Sequence, residues 1–335
     1  MFDDLRAISL LDWLENDLLM IVDAFELASS DASFRRYFRI KTPEGSFVVM
    51  DAPPDKENTD VFIRVAGILA GINFNVPIIF QKNTAEGFLL LEDFGSQCFL
   101  DELTVENANT LYWSAFDALL LMQSEIAIEY CGLPFYNEAL LQRELGVFED
   151  WFLHESLDTP VPAEIWNNLC DLLISSALEQ PKVCVHRDYH SRNLMFLTND
   201  SPGIIDFQDA VIGPITYDLV SLLRDCYITW SPELIEQWRS EYYQRLIALK
   251  LITVTPEQFK RWFDLMGLQR HLKAIGIFSR LHLRDGKSSY LKDIPRTLAY
   301  VISVCADYPE LSSFSVFLEE QVAPVYEVFK QGYSL

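Results

Sequence analysis

The sequence predicts an α+β protein of two lobes, a small β-rich lobe over residues 1–95 and a larger, mainly helical lobe over residues 96–335. Three observations carry that reading. Short apolar runs separated by turn residues fill the first hundred positions, the pattern of a strand meander. Beyond residue 100, apolar positions recur at helical spacing in one segment after another. Between those segments, residues 183–209 break the pattern with two short apolar runs that each lead to an aspartate. At 335 residues the chain also exceeds the size at which one core usually divides.

Taken in order, residues 5–20 place Leu10, Leu11, Leu14 and Leu18 at helical spacing and predict an amphipathic leading helix. Residues 25–28, 34–41 and 46–50 read as three strands, the last two joined by the turn Thr42-Pro43-Glu44-Gly45. A helix over 59–70 follows, then a strand pair over 76–81 and 88–91 around Asn83-Thr84-Ala85-Glu86-Gly87. The second strand of that pair ends in Glu92-Asp93-Phe94-Gly95, where the first lobe is expected to close. Helices are expected over 105–123, 137–154, 162–177, 216–227, 232–249, 256–274, 292–306 and 312–329. Several open on proline, which suits the first helical turn because its missing N–H has no partner there anyway.

Residues 183–209 organise the rest. An apolar run over 183–185 feeds into His186-Arg187-Asp188, with Asn193 five residues after the aspartate, and a second run over 203–205 ends at Asp206-Phe207. Two short buried strands thus each deliver a carboxylate at the C-terminal end, with an amide between. The letters H-R-D-x-x-x-x-N are those phosphoryl transfer requires in protein kinases. One Asp orients and deprotonates the acceptor hydroxyl, while an Asn and a second Asp hold Mg²⁺ on the phosphates of a nucleotide. Asp188 is accordingly the expected catalytic base, Asn193 and Asp206 the expected metal ligands, and ATP (or GTP) with Mg²⁺ the expected cofactors. The second element reads Ile205-Asp206-Phe207-Gln208, not Asp-Phe-Gly.

With His190 added, the pattern H-x-D-x-H-x-x-N resembles the aminoglycoside phosphotransferase and choline kinase families, small-molecule kinases on a two-lobed protein-kinase-like fold. The segment Gly213-Pro214-Ile215-Thr216-Tyr217-Asp218-Leu219 is shared with them. The resemblance implies that His186, His190 and Asp218 fix the loop and do no chemistry themselves. It also makes the first lobe the nucleotide-binding one and the second the catalytic and substrate-binding one. Ser30 and Ser33 lie in the turn where kinases place a glycine-rich cover, followed by Arg35, Arg36 and Arg39. Hydroxyls and arginines can cradle phosphates, so Ser30, Ser33, Arg35 and Arg36 are candidate nucleotide contacts. Glu92 stands where kinase-like folds bind adenine through hinge backbone groups.

One departure is clear. The third strand should carry a lysine, yet no Lys or Arg occurs between Ser46 and Pro54, and the next helix carries Arg64 in place of a glutamate. The phosphate-binding cation is expected to have moved, with Arg35, Arg36 and Arg64 as candidates.

A longer string narrows the resemblance. Residues 33–39, 49–54, 186–195 and 269–273 together are similar to the bacterial anomeric sugar kinases of cell-wall recycling, which phosphorylate N-acetylmuramate and N-acetylglucosamine at C1. The similarity runs from about residue 28 to the end and includes the missing lysine. It implies an ATP-dependent sugar 1-kinase, with Arg192, Asp209, Asp225, Arg270 and His271 as candidate substrate contacts. Two alternatives stay open: another acceptor such as an aminoglycoside, choline or a related alcohol, and a nucleotide-binding scaffold without turnover. Intact Asp188, Asn193 and Asp206 speak against the scaffold.

The formal charge of −23 argues against nucleic-acid and anionic-membrane partners, which require basic surfaces. Half the residues are hydrophobic, enough for a sizeable core. Six cysteines without metal-like spacing read as free thiols of a reducing compartment. The first twenty residues are acidic where a signal peptide would be basic, and no apolar run approaches membrane-spanning length. The expectation is a soluble cytoplasmic monomer acting on a small-molecule sugar and a nucleotide.

Overall fold

A computed structural model describes residues 4–30, 34–198 and 202–333, with backbone only at 29 and 30. The chain divides into two compact units, Met1–Ala118 with Asn193–Gln208, and Leu119–Arg192 with Asp209–Leu335. The strands are β1 (Ala24–Ser30), β2 (Arg36–Thr42), β3 (Gly45–Asp51), β4 (Ile79–Asn83), β5 (Phe88–Glu92), β6 (Lys182–Val185), β7 (Leu194–Met195), β8 (Gly203–Ile204) and β9 (Val211–Pro214). The first six helices are α1 (Leu5–Asp12), α2 (Thr59–Ala70), α3 (Phe99–Glu102), α4 (Ala108–Glu125), α5 (Glu138–Val147) and α6 (Ala163–Glu179). They are followed by α7 (Tyr217–Leu223), α8 (Pro232–Ala248), α9 (Pro256–Asp285), α10 (Ile294–Asp307), α11 (Ser312–Phe317) and α12 (Ala323–Tyr333).

In the first unit β1 to β5 form one antiparallel sheet in the order β1-β2-β3-β5-β4. Alternation sets which face is covered. Phe38, Ile40 and Val49 of β2 and β3 point to one side, where they meet Phe88 and Leu90 of β5 and the buried Ala7, Leu10, Trp13 and Leu14 of the leading helix. The leading helix therefore completes the core of the sheet. Its start is fixed by Asp4, whose carboxylate accepts from the Ala7 N–H at 3.1 Å. Asn58 caps α2 in the same way through the Asp60 N–H at 2.9 Å. At Gly87 the backbone has φ +76°, and a Cβ would lie 1.9 Å from the Ala52 carbonyl oxygen, so the close approach of these two chains requires glycine. β7 and β8 add a small pair, with Leu194 opposite Ile204 and Met195 opposite Gly203.

The second unit is built on α9, 30 residues long, capped by Thr255 at its start and by Gly286 with φ +68° at its end. Helices α5, α6, α7 and α10 pack against it. Unusually for a core helix it buries Asp264, Gln269, Arg270 and His271 along with its apolar residues. β6 pairs antiparallel with β9, Val185 opposite Val211.

An α+β protein with a sheet-bearing unit and a helix-rich unit matches the fold class read from the sequence. Individual elements differ. The helix expected over 256–274 continues to Asp285, because the buried apolar positions continue through Phe278 and Leu281. The helix expected over 216–227 stops at Leu223, where Arg224 turns out of helical geometry and frees Asp225 for loop contacts. β7 and β9 were not foreseen. One has two residues, and the other, Val-Ile-Gly-Pro, carries the turn residues that usually mark a loop. Among the described residues, no helix is long and apolar enough to cross a membrane.

Candidate active site

In the second unit β6 carries the chain into His186-Arg187-Asp188. Arg187 adopts φ +79°, the left-handed region, which costs a non-glycine residue on the order of 1 kcal/mol. The geometry persists because the next turn is held from below. Asp218, fully buried at the start of α7, accepts the His186 N–H at 2.7 Å and the Arg187 N–H at 2.9 Å. Further along, Asp225 takes the Ser191 N–H at 3.0 Å and its hydroxyl at 2.5 Å, while its other oxygen takes the Tyr227 N–H at 2.8 Å. The His186 ring nitrogen Nδ1 accepts from the Asp188 N–H at 3.3 Å. The loop is thus pinned on both sides of Asp188 by buried carboxylates, and His186, Asp218 and Asp225 serve its backbone.

The electrostatics favour a charged Asp188. Burial pushes its carboxyl up, but Lys273, His190, Arg270 and Arg187 outweigh that and hold it below the ordinary aspartate range. An ionised Asp188 at neutral pH can accept a proton. Behind it sits a network with Glu144 of α5 at its centre. Glu144 accepts from the Tyr136 hydroxyl and the Arg187 guanidinium, and from Lys273 Nζ at 3.1 Å. Burial raises the Glu144 carboxyl, yet the two cations win and keep it below the usual range. Gln269 donates to the Tyr136 hydroxyl at 3.0 Å, and Lys273 to the Tyr217 hydroxyl at 3.3 Å. The Arg270 guanidinium stands 5.1 Å above the Tyr217 ring.

Of the candidate substrate contacts, Arg192 is half-buried with its guanidinium 3.7 Å above the Tyr227 ring. His190 meets the same ring edge-on at 5.2 Å. His271 is fully buried, its Nε2 bonded to the Arg224 carbonyl at 2.9 Å and its ring stacked on Tyr300. Asp209 is exposed, and its carbonyl accepts from Arg187 at 3.4 Å. Sequence reasoning did not single out Glu144 or Tyr227, and it quoted Lys273 only as part of a string. Glu144 has no sequence signal, since its two cationic partners, Arg187 and Lys273, lie far away in the chain.

The candidate metal ligands belong to the first unit. β8 ends at Ile204, the Ile205 N–H donates to the Asn193 carbonyl at 3.1 Å, and Asp206 follows with φ +64°. Asn193 Nδ2 donates to Asp206 Oδ2 at 3.3 Å, Gln208 Nε2 to Oδ1 at 2.7 Å, and Arg35 Nη2 stands 3.9 Å from Oδ1. The Asp206 side chain keeps 30% of its surface exposed. Among the described residues no cluster of three or more His, Cys, Asp and Glu could cage an ion. One accessible carboxylate beside one amide suits Mg²⁺, which completes its shell with water and phosphate oxygens.

Arg35 therefore stands with the candidate metal pair, whereas Arg36 does not. Arg36 of β2 lies opposite Asp51 of β3 and binds it at 2.6 Å while also pairing with Asp4. Arg6 of α1 reaches the same fully buried Asp51 at 2.5 Å. The third strand, which the sequence shows to lack Lys and Arg, ends in a buried carboxylate that draws two arginines. Arg64 is exposed on α2. Glu92 accepts the Ile78 N–H at 3.2 Å through its side chain. Ser33 lies outside the described residues, and of Ser30 only the backbone in β1 is described.

Over 333 residues the chain is 44% identical to a Pseudomonas aeruginosa protein named N-acetylmuramate/N-acetylglucosamine kinase, covering 95% of this chain and 97% of that one. A Neisseria meningitidis relative of the same name is 40% identical over 328 residues, covering 95% and 96%. Among solved structures, the GDP complex of wild-type aminoglycoside 2′-phosphotransferase-IIIa superposes with a TM-score of 0.61 at 16% identity, over 88% of this chain and 99% of that one. A Plasmodium vivax ethanolamine kinase gives a TM-score of 0.58 at 12% identity, over 87% and 84%. At those identities the likeness is one of fold, the kinase-like fold that the motif implied. Residues 24–249 match the model of the phosphotransferase enzyme family, and the chain belongs to that family.

Proposed function

We propose that the protein transfers the γ-phosphoryl group of ATP or GTP to the anomeric C1 hydroxyl of N-acetylmuramate and N-acetylglucosamine, returning cell-wall sugars to use. The observation that carries this reading is Asp188, kept ionised by surrounding cations on a loop pinned by Asp218 and Asp225. Relatives at 40–44% identity that bear the sugar-kinase name supply the acceptor. Asp188 orients the acceptor hydroxyl and takes its proton as the oxygen bonds to the γ-phosphorus and the bond to the nucleoside diphosphate breaks. An anomeric hydroxyl is more acidic than an ordinary alcohol, so a carboxylate that is a weak base suffices. Asn193 and Asp206 would hold Mg²⁺, which when bound neutralises charge on the phosphates. Arg35, beside Asp206, is the cation best placed to stand in for the missing third-strand lysine. On this reading the nucleotide belongs to residues 1–95 and the acceptor to residues 96–335.

The test is nucleotide consumption with Mg²⁺ and a panel of N-acetylmuramate, N-acetylglucosamine, kanamycin and choline. Turnover with the acetamido sugars, lost when C1 is blocked as a methyl glycoside, is expected. Asp188→Ala should lose at least about 10²–10⁴-fold in kcat with an unchanged melting temperature. Full activity of that variant, or turnover confined to another acceptor, would overturn the reading.

A further inference from the structure

The two sugars named for the relatives differ in one chemical respect that a protein can read by charge. N-acetylmuramate is N-acetylglucosamine with a lactyl ether, so it brings a carboxylate and is an anion at neutral pH. Most arginines of the second unit already have an acidic partner. Arg187 binds Glu144, Arg224 binds Asp264, Arg239 binds Glu236 and Arg261 binds Glu310. Arg192 is different. Its guanidinium lies flat on Tyr227 at 3.7 Å and makes no hydrogen bond among the described residues. A cation held on an aromatic face is oriented without using its N–H groups, and those groups form a fork that matches a carboxylate.

The surroundings are built for a ligand. Tyr227 continues into Phe278, which stacks on Tyr290 at 5.8 Å and 16°, an aromatic surface of the kind that packs against sugar C–H faces. Asp293 is 4% exposed, and its Oδ2 is buried with no hydrogen-bond partner. A buried carboxylate oxygen left open is costly unless something donates to it, and a sugar hydroxyl or amide N–H would. The other Asp293 oxygen stands 3.7 Å from Arg296 Nη1, and the positive charge of Arg192 also acts on this carboxylate. Asp225, also close, does not compete, since both its oxygens are taken by Ser191 and Tyr227. His190 links this surface to the reacting centre: its ring contacts Tyr227, and the charges of Asp188 and Arg192 both act on it.

We propose that Arg192, seated on Tyr227, recognises the carboxylate of the acceptor and sets the preference between an anionic and a neutral amino sugar. The inference rests on the sugar-kinase reading above. Arg270, the other arginine near Asp188, is buried against Tyr217 and acts on the catalytic carboxylate itself.

The experiment compares kcat/KM for N-acetylmuramate and N-acetylglucosamine in the wild type, Arg192→Gln and Arg192→Lys. In Arg192→Gln the ratio of the two should fall about ten- to hundredfold, the loss of one charge-assisted contact, with most of the change in KM for N-acetylmuramate. Arg192→Lys should recover part of the ratio. N-acetylmuramate converted to its neutral amide should be a poorer substrate than the acid for the wild type but equal to it for Arg192→Gln. An unchanged ratio, or equal loss on both sugars, would overturn the assignment of the carboxylate to Arg192 while leaving the kinase reading intact. A wild type that phosphorylates neither sugar would remove the kinase reading and this inference with it.

Discussion

Replacing His271 by Gln should flatten the pH dependence of folding stability between about pH 7 and pH 5. The His271 ring is fully buried, donates to the Arg224 carbonyl at 2.9 Å and stacks on Tyr300 with centroids 5.0 Å apart at 11°. Burial, and then the positive charges of Arg270 and Arg224, push the imidazole down to about 3. In the unfolded chain a histidine titrates near 6.5. As the pH falls below that value the unfolded chain takes up a proton that the folded protein refuses, so stability is full above pH ~6.5 and declines below it. Between about pH 7 and pH 5 the decline attributable to this one group is about 2 kcal/mol. The folded imidazole stays neutral at pH 5, so the whole of this decline belongs to the unfolded chain's proton uptake. His190, lowered mainly by burial, acts with the same sign. Asp218, pushed up to about 7 by burial, acts with the opposite sign, since the folded carboxyl takes a proton in this range that the unfolded one does not. The wild-type curve is therefore a sum, and the difference between wild type and His271→Gln isolates the group. Gln does not titrate, and its side-chain N–H can still serve the Arg224 carbonyl. Urea midpoints followed by tryptophan fluorescence at the two pH values give the result. Equal pH dependence in both proteins would refute the neutral buried imidazole.

Two further outcomes follow from packing and charge. Glu144→Ala leaves Lys273 and Arg187, only 13% and 17% exposed, without their anion, and should cost about 3–5 kcal/mol in a thermal melt; a loss below about 1 kcal/mol would show that the cluster is not structural. The wild-type contribution of Glu144, whose carboxyl is depressed, is present above pH ~4.3 and is lost as the pH falls through its folded value. Gly276→Ala places a Cβ 2.5 Å from the Val147 carbonyl carbon, where α9 crosses the end of α5. Despite the better helix propensity of alanine, worth ~1 kcal/mol, the backbone clash should give a lower melting temperature, and a stabilised variant would contradict the observed approach.

The difference between what was legible and what was not is a difference in range along the chain. Asp188, Asn193 and Asp206 are legible as candidates because the motif depends on fixed spacing next to short apolar strands, a local relation that letters in order can express. The strands of the first unit were legible for the same reason, as short apolar runs between turn residues. The environment of Asp188 was not. Glu144 meets Lys273 across three intervening helices of sequence, and Arg36 of β2 and Arg6 of α1 meet the same Asp51 of β3. No periodicity encodes such pairs, because they depend on which helix faces pack together. Nor could the sequence separate Arg35, beside Asp206, from its neighbour Arg36, since consecutive residues at a strand start point to opposite faces. By itself the sequence determined the fold class and singled out the candidate reacting groups, which rest on local pattern. The tertiary structure decided which charges surround Asp188, which arginine accompanies the candidate metal pair and which aromatic ring Arg192 rests on, because burial and long-range pairing exist only once the chain has packed.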